Sequence, residues 1–175
     1  FHPGHTWANP AENGRVLVGL DDFAIKLIGR IDRMELPKPG TRVRQGQVIW
    51  KVRVGEKAFA MRSPIDGVVE EINEAVRDDP SLLLQDPYQN GWILRIQSED
   101  PDASLSCLLR GDLAKKWLET LVPKLFARSS GELGVLAQDG GVLLQDGGVP
   151  VSGIARVIDP EHWDELVSEM FLTKE

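Results

Sequence analysis

Apolar and polar side chains alternate most regularly between residues 48 and 62. Val48–Val54 alternates with a period of two, which predicts a half-buried strand, and Lys57–Arg62 predicts the strand that returns beside it. Gly55 and Glu56 between them fit a two-residue hairpin turn, because glycine takes a positive φ at little cost. The pattern therefore predicts a β-hairpin, within a longer turn-bounded stretch over residues 40–69, with Glu56 at its exposed tip.

The hairpin register predicts which side chains share a face. If Val54 pairs with Lys57, apolar residues fall on one side of the strand pair and polar or small residues on the other. The apolar row comprises Val48, Trp50, Val52, Val54, Phe59 and Met61, and the outer row comprises Lys51, Arg53, Ala58 and Ala60.

The rest of the chain predicts further strands and several short helices. Strands are expected at residues 15–19, 30–36, 68–73 and 92–96. A two-turn helix is expected before Gly29, with Asp21 or Asp22 as its N-cap, and a loop with one helical turn at residues 74–84. Helices are expected at about 104–121, ending before Pro123, and at 160–171, with a hairpin turn at Asp139-Gly140 between them.

Charge and cysteine content exclude several classes of protein. The formal net charge of −7 argues against a general nucleic-acid-binding surface, which needs concentrated positive charge. Four cations near the hairpin form either a solvated face or a docking patch for a partner: Arg42, Arg44, Lys51 and Arg53. One cysteine, Cys107, excludes an intramolecular disulfide and a Cys-rich metal site in this segment, and is expected to be buried on a helix.

No candidate catalytic or metal site is expected. His2 and His5 are loosely spaced, and His162 lies far along the chain, so the histidines predict no metal site. Asp21 and Asp22 are interpreted as helix caps, and no nucleophile with a base is evident, so the protein is predicted not to be an enzyme. No apolar run approaches the roughly 18 residues of a membrane span, and a soluble, cytoplasmic protein is expected.

Several motifs resemble the H protein of the glycine cleavage system over residues 5–100. They are HTWA at His5, VGLDDFA at Val18, IGRIDRMELPKPGTRVRQGQ at Ile28, SPIDGVVEEINEAV at Ser63 and DPYQNGW at Asp86. The resemblance implies a mainly β, α+β protein: a barrel-sandwich hybrid of the lipoyl/biotinyl type with peripheral helices. The strands predicted from the residues fit that fold.

The resemblance also implies a function for the hairpin tip. In this family a lysine at the tip receives lipoic acid, and the arm carries an aminomethyl group and electrons between the partner enzymes of glycine breakdown. Family members place that lysine ten residues after the glycine that matches Gly46 and seven before the serine that matches Ser63. Both counts lead to Glu56, and the glutamate of the flanking motif is replaced by Arg53.

Two functions follow from this departure. A glutamate cannot form the amide that tethers lipoate, which favours a non-enzymatic protein-interaction or structural module without lipoate. The alternative is a lipoyl carrier modified at Lys57. A one-residue slip that brought Lys57 to the tip would expose the apolar row, whose side chains each contribute roughly 1.5–3 kcal/mol when buried.

The C-terminal part of the chain differs from the H-protein pattern as well. Residues 1–100 are predicted to form the barrel-sandwich domain and 101–175 a helix and hairpin extension that packs on it. Residues 123–155 are interpreted as an insertion that creates or remodels a binding surface, with Trp50 as one contact. The expected partner is another protein or the rest of a longer chain, with no nucleic acid and no membrane.

Overall fold

The computed structural model describes residues 1–126 and 152–172 of the 175-residue chain. Within these residues eight strands form two antiparallel sheets. The five-stranded sheet contains β1 (Thr6–Pro10), β2 (Arg15–Leu20), β4 (Arg42–Val43), β7 (Gly67–Ile72) and β8 (Trp92–Gln97), in the order β1-β2-β8-β7-β4. The three-stranded sheet contains β3 (Arg33–Glu35), β5 (Val48–Val54) and β6 (Lys57–Arg62), in the order β3-β5-β6.

Short helices lie between and after the strands. They are a 3₁₀ turn (Glu12–Gly14), α1 (Asp22–Ile28), α2 (Glu74–Asp78), α3 (Leu82–Gln85), α4 (Pro101–Ser106), α5 (Gly111–Phe126), α6 (Ile154–Ile158) and α7 (Trp163–Met170). The mainly β architecture with peripheral helices is therefore confirmed. No helix in the described ranges combines the length and apolar character needed to cross a membrane.

The segment over residues 40–69 is shared between the two sheets. Its outer parts, β4 and β7, pair with each other in the five-stranded sheet, whereas β5 and β6 form the hairpin in the three-stranded sheet. The hairpin register agrees with the prediction, since Val54 lies opposite Lys57, Val52 opposite Phe59 and Trp50 opposite Met61. The chain thus leaves one sheet, forms the hairpin and returns to the sheet it left.

Helix α1 begins and ends at the residues that the sequence predicts. The Asp21 carboxylate accepts a hydrogen bond from the Ala24 N–H at 2.8 Å, so Asp21, not Asp22, is the N-cap. Gly29 follows the helix with φ of +78°. This helix packs against α6, and the Gly153 N–H donates to the Lys26 carbonyl at 2.8 Å.

One core joins both sheets to the C-terminal helices. Its buried residues include Val16 and Val18 of β2, Val52 and Phe59 of the hairpin, and Leu166 and Val167 of α7. Leu166, Val167 and Met170 are buried on one face of α7, as their helical spacing predicts. Residues 163–170 are therefore an integral part of the described core.

Three local predictions about side chains and loops are wrong. Val48 is 40% exposed, because a bulge between Val48 and Trp50 adds Ile49 to β5 and breaks the alternation. Cys107 is exposed, because it follows the last turn of α4 instead of lying inside a helix. Residues 74–85 contain the two short helices α2 and α3, whereas the sequence predicts a loop with one helical turn over 74–84.

Several element bounds also differ from the prediction. The strand expected at residues 30–36 is only Arg33–Glu35, and the helix expected from residue 160 begins at Trp163. Helix α4 begins at Pro101, where a missing N–H costs nothing because the first turn has no helical acceptor. Helix α5 runs past Pro123 and ends three residues later, at Phe126, although the proline removes one i→i−4 hydrogen bond. The hairpin predicted at Asp139-Gly140 lies outside the described residues.

Candidate functional site

The tip of hairpin β5–β6 is a loop of two residues, Gly55 and Glu56. Gly55 has φ of +61°, in the left-handed region that glycine adopts at little cost. Its N–H donates to the Asp32 carboxylate at 2.6 Å, which ties the tip to the residue just before β3. Glu56 is exposed in this loop, so the structure places it at the tip as predicted.

Lys57 lies in the first cross-strand pair beyond the loop, opposite Val54. Its ammonium donates to the Asp164 carboxylate of α7 at 2.5 Å, and its side chain is 52% exposed. This hydrogen bond raises the pKa of the Lys57 ammonium and lowers the pKa of the Asp164 carboxyl. Both groups are therefore held in their charged forms, and the end of the hairpin is joined to the C-terminal helix.

Aromatic and cationic contacts extend this junction along β6. The ring of Phe59 lies edge-on to Trp163 with centroids 5.5 Å apart, and the Arg156 guanidinium lies 4.2 Å from the centre of the same indole ring. Further along the strand, an Arg62 guanidinium N–H donates to the Leu172 carbonyl at 3.1 Å. Residues 156–172 thus contact the hairpin from Lys57, next to its loop, to Arg62 at the other end of β6.

A second cluster surrounds His5 at the start of β1. The His5 Nδ1 lies 2.9 Å from the Asp21 carboxylate, and both residues are fully buried. The imidazole stacks on Phe23 with centroids 4.8 Å apart, and Trp117 and Phe171 lie at 4.9 and 5.6 Å. A histidine beside a carboxylate suits acid–base chemistry, but these aromatic rings enclose the pair, so it positions α1 and the C-terminal segment.

The other histidines have local roles. His2 Nδ1 accepts a hydrogen bond from the Gly4 N–H at 2.9 Å, and the exposed His162 lies 3.5 Å from Asp159. In the two described ranges, no three His, Cys, Asp or Glu side chains are grouped so that they would hold a metal ion. Burial and nearby positive charge, with a small contribution from His5, lower the pKa of the His2 imidazole.

A groove of about 330 Å³ lies along β4, the start of β7, the end of β8 and α4. The charged residues that line it are Arg42, Arg44, Asp66, Glu99 and Asp100. Because cations and carboxylates are mixed, the groove shows no preference for a ligand of one charge. Arg42 lies in the five-stranded sheet and Arg44 follows its strand β4, whereas Lys51 and Arg53 lie in the other sheet, so the predicted cluster of four cations is divided.

The hairpin tip permits a test of whether lipoate fits the residues present. Attachment requires a lysine amine that forms an amide with lipoic acid, and Glu56 in the loop has no amine. Lys57 has the amine, but its backbone lies within the strand pairing and its ammonium binds Asp164. Glu56 in the loop therefore cannot carry lipoate. Lys57 has the required amine, but it lies beside the loop and not in it.

The two antiparallel sheets share one core, and hairpin β5–β6 ends in a two-residue loop. This arrangement defines a barrel-sandwich protein of the lipoyl/biotinyl type. The chain belongs to the glycine cleavage H-protein family, whose model, described as "Glycine cleavage H-protein", matches residues 1–121. The matched residues include both sheets and the hairpin. Helices α6 and α7, and with them Asp164, lie beyond the match.

Similar proteins carry the same family name. A "Probable glycine cleavage system H protein" of Thermococcus gammatolerans is 37% identical over 117 residues, 67% of this chain and 87% of the relative. A "Glycine cleavage system H protein" of Aliivibrio salmonicida is 35% identical over 121 residues, 69% of this chain and 93% of the relative. The crystal structure of a glycine cleavage system H protein from Mycobacterium marinum aligns with a TM-score of 0.51 and 29% identity, covering 55% of this chain and 80% of that one.

Sequence reasoning missed the residues that the C-terminal segment contributes to the hairpin. The sequence pattern places Asp164 and Trp163 in a C-terminal helix but does not link them to the hairpin, because residues more than 100 positions apart share no periodic pattern. Asp32 was also missed as the acceptor for the Gly55 N–H. Asp32 lies just before β3, and β3 pairs with the hairpin. That position is the sequence feature that points to Asp32 as a partner of the hairpin loop.

Proposed function

We propose that this chain is a non-enzymatic, lipoate-free member of the H-protein family that acts by binding a partner protein through hairpin β5–β6. The observation that carries the proposal is the register at the tip. Val54 and Lys57 form the last pair, so the two-residue loop contains Glu56 and no lysine. The carboxylate of Glu56 cannot form the amide that lipoate requires.

The contacts of the C-terminal helix support the same function. Lys57, the amine next to the loop, is hydrogen-bonded to Asp164, and Phe59 packs against Trp163. We further propose that residues 1–100 form the barrel-sandwich unit and that residues 101–175 form an extension packed on it. The partner would then meet a surface made by the hairpin together with the extension.

A lipoyl carrier modified at Lys57 is the second candidate function. The names of the relatives support it more strongly than they support a lipoate-free module. The 52% exposure of Lys57, one residue beyond the loop, also supports it, since a modifying enzyme needs access to the amine. The register of the hairpin favours the first candidate and the family name favours the second.

Intact-mass spectrometry distinguishes the two functions. The chain is produced in a host with active lipoylation, together with Lys57→Arg and the double variant Glu56→Lys/Lys57→Arg. The lipoate-free function predicts no lipoyl mass increment in the original chain. The double variant places one lysine in the loop and removes the neighbouring one. It is the control that shows whether the host attaches lipoate to a lysine at the loop position.

Each outcome has a defined meaning. An increment in the double variant and none in the original chain supports the lipoate-free module. An increment in the original chain that disappears in Lys57→Arg establishes the carrier and overturns our first proposal. Circular dichroism of each variant verifies that the comparison is made between folded proteins.

A further inference from the structure

The outer surface of the three-stranded sheet carries two cross-strand rows of side chains. Arg33 lies opposite Arg53, which lies opposite Ala58, and Glu35 lies opposite Lys51, which lies opposite Ala60. These six residues alternate with the buried Met34, Val52 and Phe59, so they share the face that points away from the core. We call this surface the cationic face.

The cationic face concentrates positive charge in an acidic chain. It has three cations and one carboxylate, whereas the whole chain has a formal net charge of −7. Arg33 and Arg53 are directly opposite each other, an arrangement of like charges that destabilises a strand pair. Glu35 pairs with Arg53 and offsets part of this charge, so the face keeps an excess of positive charge that attracts an anionic partner.

The single carboxylate does not neutralise the face. Glu35 accepts a hydrogen bond from the Arg53 guanidinium, and this bond lowers the pKa of the Glu35 carboxyl, with Lys51 and Arg33 adding to the effect. Arg33 and Lys51 are exposed, and neither side chain makes a hydrogen bond or ion pair with a residue in the described ranges. Two cations thus remain available to a ligand.

The shape of the face suits close approach by another polypeptide. Ala58 is exposed and Ala60 half-buried, so the β6 side of the face is low and is flanked by the longer Lys51 and Arg53 side chains. Strand β6 is the edge of its sheet, but residues 156–172 already contact it through Lys57, Phe59 and Arg62. A segment lying over Ala58 and Ala60 on the outer face would place its carboxylates beside Lys51 and Arg53.

We propose that the cationic face binds an acidic segment of a partner protein. Charge complementarity selects an anionic occupant, and the composition of the face selects a polypeptide. It has no aromatic side chain on which a base could stack, and its three cations are fewer than the four to eight typical of a basic cluster that binds anionic lipid. The inference rests on one part of the proposed function, namely that the chain acts by binding a partner protein.

A fluorescein-labelled oligoglutamate peptide is the probe for this surface. Fluorescence anisotropy at low ionic strength is measured for the original chain, for Arg33→Glu/Lys51→Glu and for Lys115→Glu/Lys116→Glu. The two double variants make the same charge change, but the second lies on exposed positions of α5. We expect salt-sensitive binding to the original chain, a loss of about tenfold or more in the first variant and less than about twofold in the second.

Three results would overturn the inference. They are no binding to the original chain, an equal loss in both double variants, or tighter binding of an oligothymidylate or of phosphatidylserine vesicles that depends on Arg33 and Lys51. Intact mass is recorded on the same samples. A lipoyl increment would overturn the lipoate-free function without changing the peptide result, so the failures of the two proposals remain distinguishable.

Discussion

Lys57 at the end of hairpin β5–β6 and Asp164 in helix α7 are hydrogen-bonded at 2.5 Å, although 107 residues separate them in the sequence. Lys57 belongs to the part of the chain that matches the H-protein family, whereas Asp164 lies beyond it. The bond therefore couples the family hairpin to a segment that the family match does not include.

Acid is expected to weaken this junction. The hydrogen bond from Lys57 lowers the pKa of Asp164 in the folded protein, so its contribution to stability is present above the unfolded-state pKa of about 3.9. That contribution is lost as the pH falls through the lower folded-state pKa. Urea unfolding of the original chain and Asp164→Asn from neutral pH to about pH 2 measures the difference between their profiles.

The matched control for acidification is Glu119→Gln, which removes an exposed carboxylate of α5. This variant is expected to follow the pH profile of the original chain. The destabilising effect of Asp164→Asn should shrink as the pH falls below about 4, because the original chain then loses the same charge. A constant difference between the original chain and Asp164→Asn at every pH would contradict the role assigned to the pair.

Removal of the Phe59 ring is expected to destabilise the protein strongly. Phe59 is buried, contacts both Trp163 and Phe171, and leaves a cavity when truncated. Phe59→Ala should lower the free energy of unfolding by about 3–5 kcal/mol. Val48→Ala in the same hairpin, at a 40% exposed position, should cost less than about 1 kcal/mol, and similar urea midpoints for the two variants would refute the burial assignment.

Substitution at Gly55 tests the conformation of the tip. A Cβ added there would meet no other atom within 4 Å, so the cost of Gly55→Ala comes from the backbone φ of +61° alone. We expect a loss of about 1–2 kcal/mol in unfolding free energy. Gly55→Asn should lose less, because asparagine tolerates the left-handed region, and an alanine variant as stable as the original would show that this region is not occupied.

Adjacent aspartates are expected to differ in their contribution to stability. Asp21 caps α1 and holds the buried His5, whereas Asp22 forms a partly exposed pair with Lys26. Asp21→Ala should cost about 2–4 kcal/mol, from the lost cap and the unpaired imidazole, and Asp22→Ala less than about 1 kcal/mol. Thermal and urea unfolding of both variants measure this order, and the reverse order would rule out the assigned cap.

The hairpin and α1 were predictable because local rules determine them. A two-residue loop that begins with glycine fixes the register of the strands beside it, and the register then fixes which face is buried. An aspartate before an apolar helical repeat likewise marks where a helix begins. The positions of Glu56 and Lys57 follow from the same register, so the main features of the candidate site were accessible from sequence.

Other features depend on packing that no local pattern encodes. Apolar and polar residues alternate through Val48 in the sequence, so the pattern does not reveal the bulge there. The bulge nevertheless moves Val48 to the surface. The run of α5 past Pro123 and the exposure of Cys107 depend on where each helix ends. The predicted contact between Trp50 and residues 123–155 remains a prediction, since much of that stretch lies outside the described residues.

The separation of Lys57 from Asp164 has a consequence for biosynthesis. A ribosome adds about 5–20 residues per second, so Asp164 is polymerised about 5–20 s after Lys57. The last strand, β8, is complete at Gln97, so all strands of the two sheets have been polymerised before that interval ends and before α7. The amine beside the hairpin loop is therefore uncovered in the nascent chain before its carboxylate partner is made.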